Sequence, residues 1–437
     1  MNLVLLSGGS GKRLWPLSND VRSKQFIKVL KNPDGQYESM VQRVYRQVRS
    51  TDTDVSITIA TSKSQVSEIV SQLGDNVDIC IEPCRRDTFP AIVLACLYLH
   101  YVKKVSLDEV VVVSPVDPYV EDSYFETLKK LSDLTDQTNE SNLSLIGIEP
   151  TYPSEKYGYI IPNEPTEQSF VKMFKEKPAA EVAQQYISEG ALWNSGVFAF
   201  KLGYLINKAH ELVDFTDYAD FLSKYDTVQK ISFDYAIVEK EAKISVIRYK
   251  GEWRDLGTWN TLTEVLPDQL MGNAIVSENC TNTHVLNDLP IPVLCMGIQD
   301  AIVTASPEGI LISTKDESPK IKSYVENIDQ RVMFAEKSWG SFRVLNVCEQ
   351  GMTLSMEIIP GKRMSYHSHE NRDEVWVFLS GKGHVVIDGM ERTVSKGDVM
   401  TISAGCRHTI IAEEKIELIE VQLGTEISVS DKKKFDL

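Results

Sequence analysis

The residues able to do chemistry fall into two groups, one at the start of the chain and one near its end. A short apolar run, Leu3 to Leu6, opens into Ser7-Gly8-Gly9-Ser10-Gly11-Lys12-Arg13-Leu14-Trp15-Pro16. Glycines let backbone N–H groups close on phosphate oxygens, and Lys12 and Arg13 supply charge beside them. Two other phosphate loops are excluded by the letters. A P-loop needs Gly where Leu6 stands and Ser or Thr where Arg13 stands, and a dinucleotide fingerprint needs Gly at Leu14. Asp117 ends Ser114-Pro115-Val116-Asp117, and Asp255 sits in Trp253-Arg254-Asp255-Leu256-Gly257. Each acid taken alone reads equally well as a cap or turn residue. Near the other end lie four of the seven histidines, His367, His369, His384 and His408. Two residues apart on a strand, His367 and His369 turn to the same side. Imidazoles paired in this way, with a carboxylate such as Glu374 and a further imidazole such as His408 as candidate partners, are ligand types suited to Zn, Fe or Mn. His384, on an alternating strand, reads as an ordinary residue.

Positioning these groups requires two kinds of scaffold. Short β-branched runs at Leu3–Leu6, Ser56–Ala60, Val77–Ile81, Val110–Ser114, Leu143–Ile148 and Val197–Phe200 alternate with helical patterns. One such pattern puts Met40, Val41, Val44 and Val48 on one face, and another follows Pro178 and stops near Gly190. That alternation predicts an α/β fold with a mainly parallel sheet, whose ligands bind beyond the carboxyl ends of the strands. From Gly272 to about Tyr324 the apolar runs shorten and are broken by Asn, Asp and Gly, as in a β-helix-like connector. Beyond Arg331 the period becomes two, with regular turns, which predicts an antiparallel sandwich or barrel. The expected domains are 1–266, 267–330 and 331–437.

Composition narrows the partners. With 437 residues and a formal net charge of −16, the chain has no global basic surface for nucleic acid and must gather cations locally around any phosphate. Its seven cysteines are scattered, odd in number and never spaced C-x-x-C, which fits free thiols in the cytoplasm. Met1–Leu6 is too short for a signal peptide or a membrane span and reads as a buried strand.

Further segments carry a resemblance: Leu14-Trp15-Pro16-Leu17-Ser18, Lys24-Gln25-Phe26, Glu82-Pro83-Cys84-Arg85-Arg86-Asp87-Thr88, Tyr157-Gly158-Tyr159-Ile160, Lys175-Glu176-Lys177-Pro178 and Trp193-Asn194-Ser195-Gly196. From about Met1 to Gly424 the chain resembles the bacterial mannose-1-phosphate guanylyltransferases, in the long form with a C-terminal phosphomannose-isomerase-type cupin. The resemblance implies a Rossmann-like nucleotidyltransferase sheet followed by an all-β cupin barrel. It implies transfer of GMP from GTP to a hexose 1-phosphate, most simply mannose 1-phosphate, with release of pyrophosphate. Arg13 would then bind the leaving phosphates and Lys24 the α-phosphate region, with Leu6, Gly8, Gly9, Gly11, Lys12 and Arg86 around the nucleotide. Lys177 would hold the sugar phosphate, with Gly158, Glu176 and Asn194 on the sugar. Asp117 and Asp255 would share Mg²⁺, and His367, His369, Glu374 and His408 would hold the cupin metal.

Departures from the family pattern are specific. Asp87-Thr88-Phe89-Pro90 stands where Asn-Thr-Ala-Pro is usual, and Val116-Asp117-Pro118 where Ala-Asp-His is common. Val375 replaces a histidine after Glu374, and the segment after Gly424 is shortened, so weak or absent isomerase activity is expected. The competing readings are a non-catalytic sugar-phosphate-binding regulator and a nucleotidyltransferase for another base or sugar. A homo-oligomer is left open, and no membrane partner is expected.

Overall fold

The structure, a computed structural model, describes the chain except Ser10, Gly11, Asp20, Asn139, Asn327, Asp329, Gln330, Val429 and Ser430. Two compact units result, and they interleave in sequence. Met1–Ser10, Gln25–Val66 and Asn76–Pro267 form the first, and Gly11–Lys24, Ser67–Asp75 and Asp268–Leu437 the second.

In the first unit nine strands make one sheet: β1 (Asn2–Leu6), β2 (Ser56–Ser62), β3 (Asp78–Glu82), β4 (Val110–Pro115), β5 (Leu143–Ile148), β6 (Tyr159–Pro162), β7 (Gln168–Lys175), β8 (Leu192–Lys201) and β9 (Ile244–Tyr249). Their order is β3-β2-β1-β4-β8-β5-β9-β7-β6. Only β7 and β8 run against the others. The sheet is therefore mainly parallel, as the alternation of elements predicts. Continuous apolar runs such as Leu3-Val4-Leu5 are buried throughout because helices cover both sides. Helices Thr88–Tyr101 and Leu202–Leu212 pack with Val4, Val111, Val113, Leu145 and Val246 in one core. Helix Ser123–Gln137 lies against β4, β5 and β8. Helix Met40–Thr51 buries Met40, Val41, Val44 and Val48, and Ser39 with Gln42 closes its N-terminus in a reciprocal capping box.

The reversal of β8 matters for function. Its first residues lie at the edge where its parallel neighbours end, with Trp193 paired to Ile148 and Gly196 beside Pro115. That is the edge where open α/β sheets bind ligands.

In the second unit, Leu270–Gly272, His284–Asn287 and Ala301–Ser306 pair in parallel, and Gly309–Thr314 closes their sheet antiparallel. A parallel pair of Ala274–Val276 and Val293–Cys295 adds a small core of Val285, Cys295 and Val303. Two antiparallel sheets follow, built from β10 (Phe334–Lys337), β11 (Gly340–Cys348), β12 (Gly351–Ile358), β13 (His367–His369), β14 (Asp373–Ser380), β15 (Lys382–Ile387), β16 (Met390–Ser395), β17 (Val399–Ile402), β18 (His408–Ala412), β19 (Ile416–Leu423) and β20 (Lys432–Lys434). Their orders are β10-β11-β12-β19-β14-β17 and β16-β15-β18-β13-β20. Side chains from both sheets, among them Ile358, Trp376, Phe378, Ile410 and Leu418, share one core. All seven cysteines are free thiols. No helix among the described residues is long and apolar enough to cross a membrane.

Candidate functional site

In the first unit two aspartates far apart in sequence are brought together by a small ribbon. Pro118–Val120 pairs antiparallel with Trp253–Asp255, setting Asp255 opposite Pro118 and so beside Asp117. Pro118 opens its short strand, where its missing N–H costs no ladder bond. Proline is therefore tolerated at this position. Asp117 and Asp255 line one cavity of about 200 Å³ together with Gly158, Glu176, Asn194, Asp234, Lys156 and Tyr157. The Tyr157 phenol is pushed up by burial first and by the Asp255 charge second, with Asp117 adding to it. Tyr157 packs edge-on to Trp253 at 5.5 Å and lies 5.0 Å from Trp193, giving the cavity an aromatic wall.

Across the cavity, Glu176 is buried and receives the Lys177 ammonium at 2.5 Å. Burial works against the Lys177 charge, but the Glu176 carboxylate outweighs it and holds the lysine above its ordinary range. Gly158 is required here by space. A Cβ on it would stand 2.5 Å from Glu176 Oε2 and 2.8 Å from Phe174 Cζ. Asn194 is fixed on three sides. Its N–H donates to the Gly158 carbonyl at 2.8 Å, its Oδ1 accepts from Gly196 N at 3.1 Å, and its Nδ2 donates to Asp234 Oδ1 at 2.7 Å.

The loop after β1 lies at the same edge of the sheet. Gln25 Nε2 donates to the Ser7 carbonyl at 2.7 Å, and Arg85 Nη2 to the Gly9 carbonyl at 2.9 Å. A Cβ at Gly8 or Gly9 would meet nothing within 4 Å among the described residues, while Gly9, at φ 156°, has a backbone conformation that favours glycine. Arg86 N donates to Glu82 at 3.3 Å, while its buried Nε has no hydrogen-bond partner among the described residues. Asp87 adopts φ 70° and caps helix Thr88–Tyr101 by accepting from Thr88 N at 2.8 Å. Phe89 fills the core, at 2% exposure. Both departures in this segment thus have structural uses. Of the other nucleotide-end residues, Leu6 ends β1, and Gly11 lies outside the described residues. Lys12 and Arg13 sit on a 3-10 turn, Lys12–Leu14, and Lys24 on another, Lys24–Phe26; all three fall within the second unit.

The second unit holds the histidines. β13 lies between β18 and β20, with His367 opposite His408. The three imidazoles of His367, His369 and His408 are buried, and their ligand nitrogens lie within 4.8 Å of one another. His367 Nδ1 meets the Ser365 carbonyl at 2.6 Å and His408 Nδ1 the Cys406 carbonyl at 3.0 Å, which leaves each Nε2 for a metal. Burial above all pushes His367 far down and His369 down to about 4, so both rings are neutral, as ligands must be. Glu374, from β14 in the facing sheet, borders the cluster, 3.4 Å from His369 Nε2 and 3.3 Å from His408 Nε2. Arg372 bridges them, with Nε 2.9 Å from Glu374 and Nη2 2.8 Å from His369. His369 Nδ1 and His408 Nε2 are buried without an aligned hydrogen bond among the described residues. Buried nitrogens left in that state, beside a carboxylate, fit a transition-metal ion. His384, by contrast, is a surface ion-pair residue between Glu391 and Glu413.

Both cupin departures, Val375 and the short tail, take a definite place in this sheet pair. Burial alternates along β14, with Glu374, Trp376 and Phe378 facing in and Val375 and Val377 facing away. A histidine at position 375 would not enter the cup, so Val375 removes nothing from it. The short tail is also part of the barrel, since β20 pairs with β13 and sets Lys432 opposite His369. Asp234, Lys156, Tyr157 and Lys432 escape a reading of the sequence; of these only Tyr157, inside the Tyr-Gly-Tyr stretch, carries a signal.

A nucleotidyl transferase family model matches residues 2–271, and a mannose-6-phosphate isomerase C-terminal model matches 326–436. Mannose-1-phosphate guanylyltransferase from Salmonella montevideo is 27% identical, over 99% of this chain and 98% of its own. Xanthan biosynthesis protein XanB of Xanthomonas campestris pv. campestris (strain B100) is 27% identical over 99% and 97%. The Escherichia coli K12 mannose-1-phosphate guanylyltransferase is 28% identical over 99% and 97%. A solved structure described as mannose-1-phosphate geranyltransferase from Thermus thermophilus shares the fold. Its TM-score is 0.60 at 24% identity, covering 75% of this chain and 99% of that one.

Proposed function

The chain belongs to the nucleotidyl transferase family, and from that premise we propose that it transfers GMP from GTP to mannose 1-phosphate, giving GDP-mannose and pyrophosphate. The observation that carries the reading is the cavity in which Asp117 and Asp255 meet Glu176 and Asn194, with Lys177 on Glu176. A sugar-phosphate oxygen attacks the α-phosphorus in line, and catalysis consists of positioning and charge stabilisation. Lys177 holds the incoming phosphate. Glu176 and Asn194 accept and donate to sugar hydroxyls, while Gly158 leaves them room. Gly8 and Gly9 bring backbone amides to the nucleotide phosphates, with Leu6 at the head of the loop. Arg13 and Lys12 stabilise the leaving pyrophosphate, Lys24 the α-phosphate, and Arg86 offers a further donor. Asp117 and Asp255 would hold Mg²⁺, which supplies charge neutralisation across the phosphates. The functional parts are taken as 1–266, 267–330 and 331–437, and the site of action as the cytoplasm. Retention of both acids and all the basic residues favours an enzyme over a binding-only regulator. A matrix of GTP, ATP, CTP and dTTP against hexose 1-phosphates, read by pyrophosphate release, tests this. GTP with mannose 1-phosphate should give the highest kcat/KM.

A second activity is favoured by one observation, that Val375 points out of an otherwise intact cup. His367, His369, Glu374 and His408 would hold Zn, Fe or Mn there, supplying polarisation of substrate oxygens. Arg372 fixes His369 and Glu374 in place. We take the cup to interconvert mannose 6-phosphate and fructose 6-phosphate, measurable in a coupled assay.

A further inference from the structure

The sugar cavity contains a carboxylate without an assigned task. Asp234 lies on a one-turn helix, Phe233–Ala236, that is firmly anchored. Ser232 caps it, Phe233 N donates to Thr88 Oγ1 at 2.8 Å, and the buried Phe233 ring packs on Phe198 at 4.6 Å. From there Asp234 reaches the cavity wall beside Glu176 and Asn194. Its Oδ1 accepts from Asn194 Nδ2, and the Asn194 side-chain oxygen is already occupied by Gly196 N. An amide locked in this way has one remaining N–H. The wall therefore offers an anionic acceptor and a neutral donor next to each other, which is what two neighbouring hydroxyls of a hexose require.

We propose that Asp234 is a sugar-positioning residue, accepting a hydroxyl of the hexose while Asn194 donates to the oxygen beside it. This rests on reading the cavity as the sugar 1-phosphate site. The surroundings add a pH dependence. Glu176 and Lys177 face Asp234 from the end of β7, Asn194 faces it from β8, and Asp117, Asp255 and Lys156 line the same cavity. Burial first, and the Glu176 charge second, push Asp234 up to about 7. A raised carboxylate pKa means that Asp234 is protonated below that value and anionic above it. The anionic form accepts a hydroxyl proton more strongly. KM for the sugar phosphate therefore rises as pH falls from about 8 to about 6, while KM for the triphosphate does not follow the same curve.

Steady-state kinetics of wild type and Asp234→Asn over roughly pH 6–8, each substrate varied in turn, test this. The variant is expected to raise KM for the hexose 1-phosphate roughly tenfold at about pH 8. It should leave KM for the triphosphate within about twofold and flatten the sugar-specific pH dependence. The sugar phosphate's own ionisation near pH 6 affects both proteins alike and cancels in the ratio. Deoxy analogues give a second readout. One deoxy sugar should lose binding in wild type and lose little more in Asp234→Asn. Unchanged sugar KM and an unchanged pH curve in the variant overturn the assignment, as does an equal loss for every deoxy sugar in both proteins. No pyrophosphate release by wild type with any pair overturns the functional reading and this assignment together.

Discussion

Asp117 shows what a single residue needs before it becomes a site. In the sequence it is one acid among 62 Asp and Glu, and nothing in Ser-Pro-Val-Asp separates it from a turn residue. Its meaning comes from Asp255, more than a hundred positions later, paired across the ribbon. Asp117→Asn and Asp255→Asn should each lower kcat at least about a hundredfold, with unfolding midpoints close to wild type. Normal turnover in both would remove the metal assignment. Gly158→Ala is the steric counterpart, because a methyl there must displace the Glu176 carboxylate. It should raise KM for the sugar phosphate about tenfold and leave KM for the triphosphate unchanged. Asp234 had no legible signal, since a one-turn helix carries too few residues to show periodicity.

Elements explain which expectations held. The histidine cup was readable because strand alternation is local, so a spacing of two already fixes which side His367 and His369 share. The same rule, applied one residue further along β14, takes Val375 out of the cup, and the comparison of letters alone missed it. Val375→His should therefore leave metal content and isomerase rate within about twofold of wild type. Replacing His367 and His369 together with alanine should abolish both, which metal analysis and the coupled assay measure. The parallel strands were likewise visible as apolar runs. The reversal of β8 was not, because strand direction depends on how β8 pairs with β4 and β5 rather than on its own sequence.

At the scale of the molecule the sequence concealed most. The stretch Gly11–Lys24 groups with the second unit although it follows β1 directly in sequence. Ser306 Oγ donates to the Pro16 carbonyl at 2.6 Å, Glu308 accepts from Asn19 Nδ2 at 2.8 Å, and Arg22 pairs with Asp288 at 3.3 Å. Such contacts join positions hundreds of residues apart and leave no local pattern. Glu308 also accepts from Met333 N and Phe334 N. Its replacement by Ala should destabilise the protein by about 1–3 kcal/mol, read from denaturant unfolding, through the donors it strands.

Pyrophosphate release in the triphosphate-by-sugar matrix with Mg²⁺ present tests the transfer reaction most directly. GTP and mannose 1-phosphate should be the preferred pair, with release lost in Asp255→Asn. A clear preference for ATP, CTP or dTTP, or release that persists undiminished in that variant, would contradict the assignment.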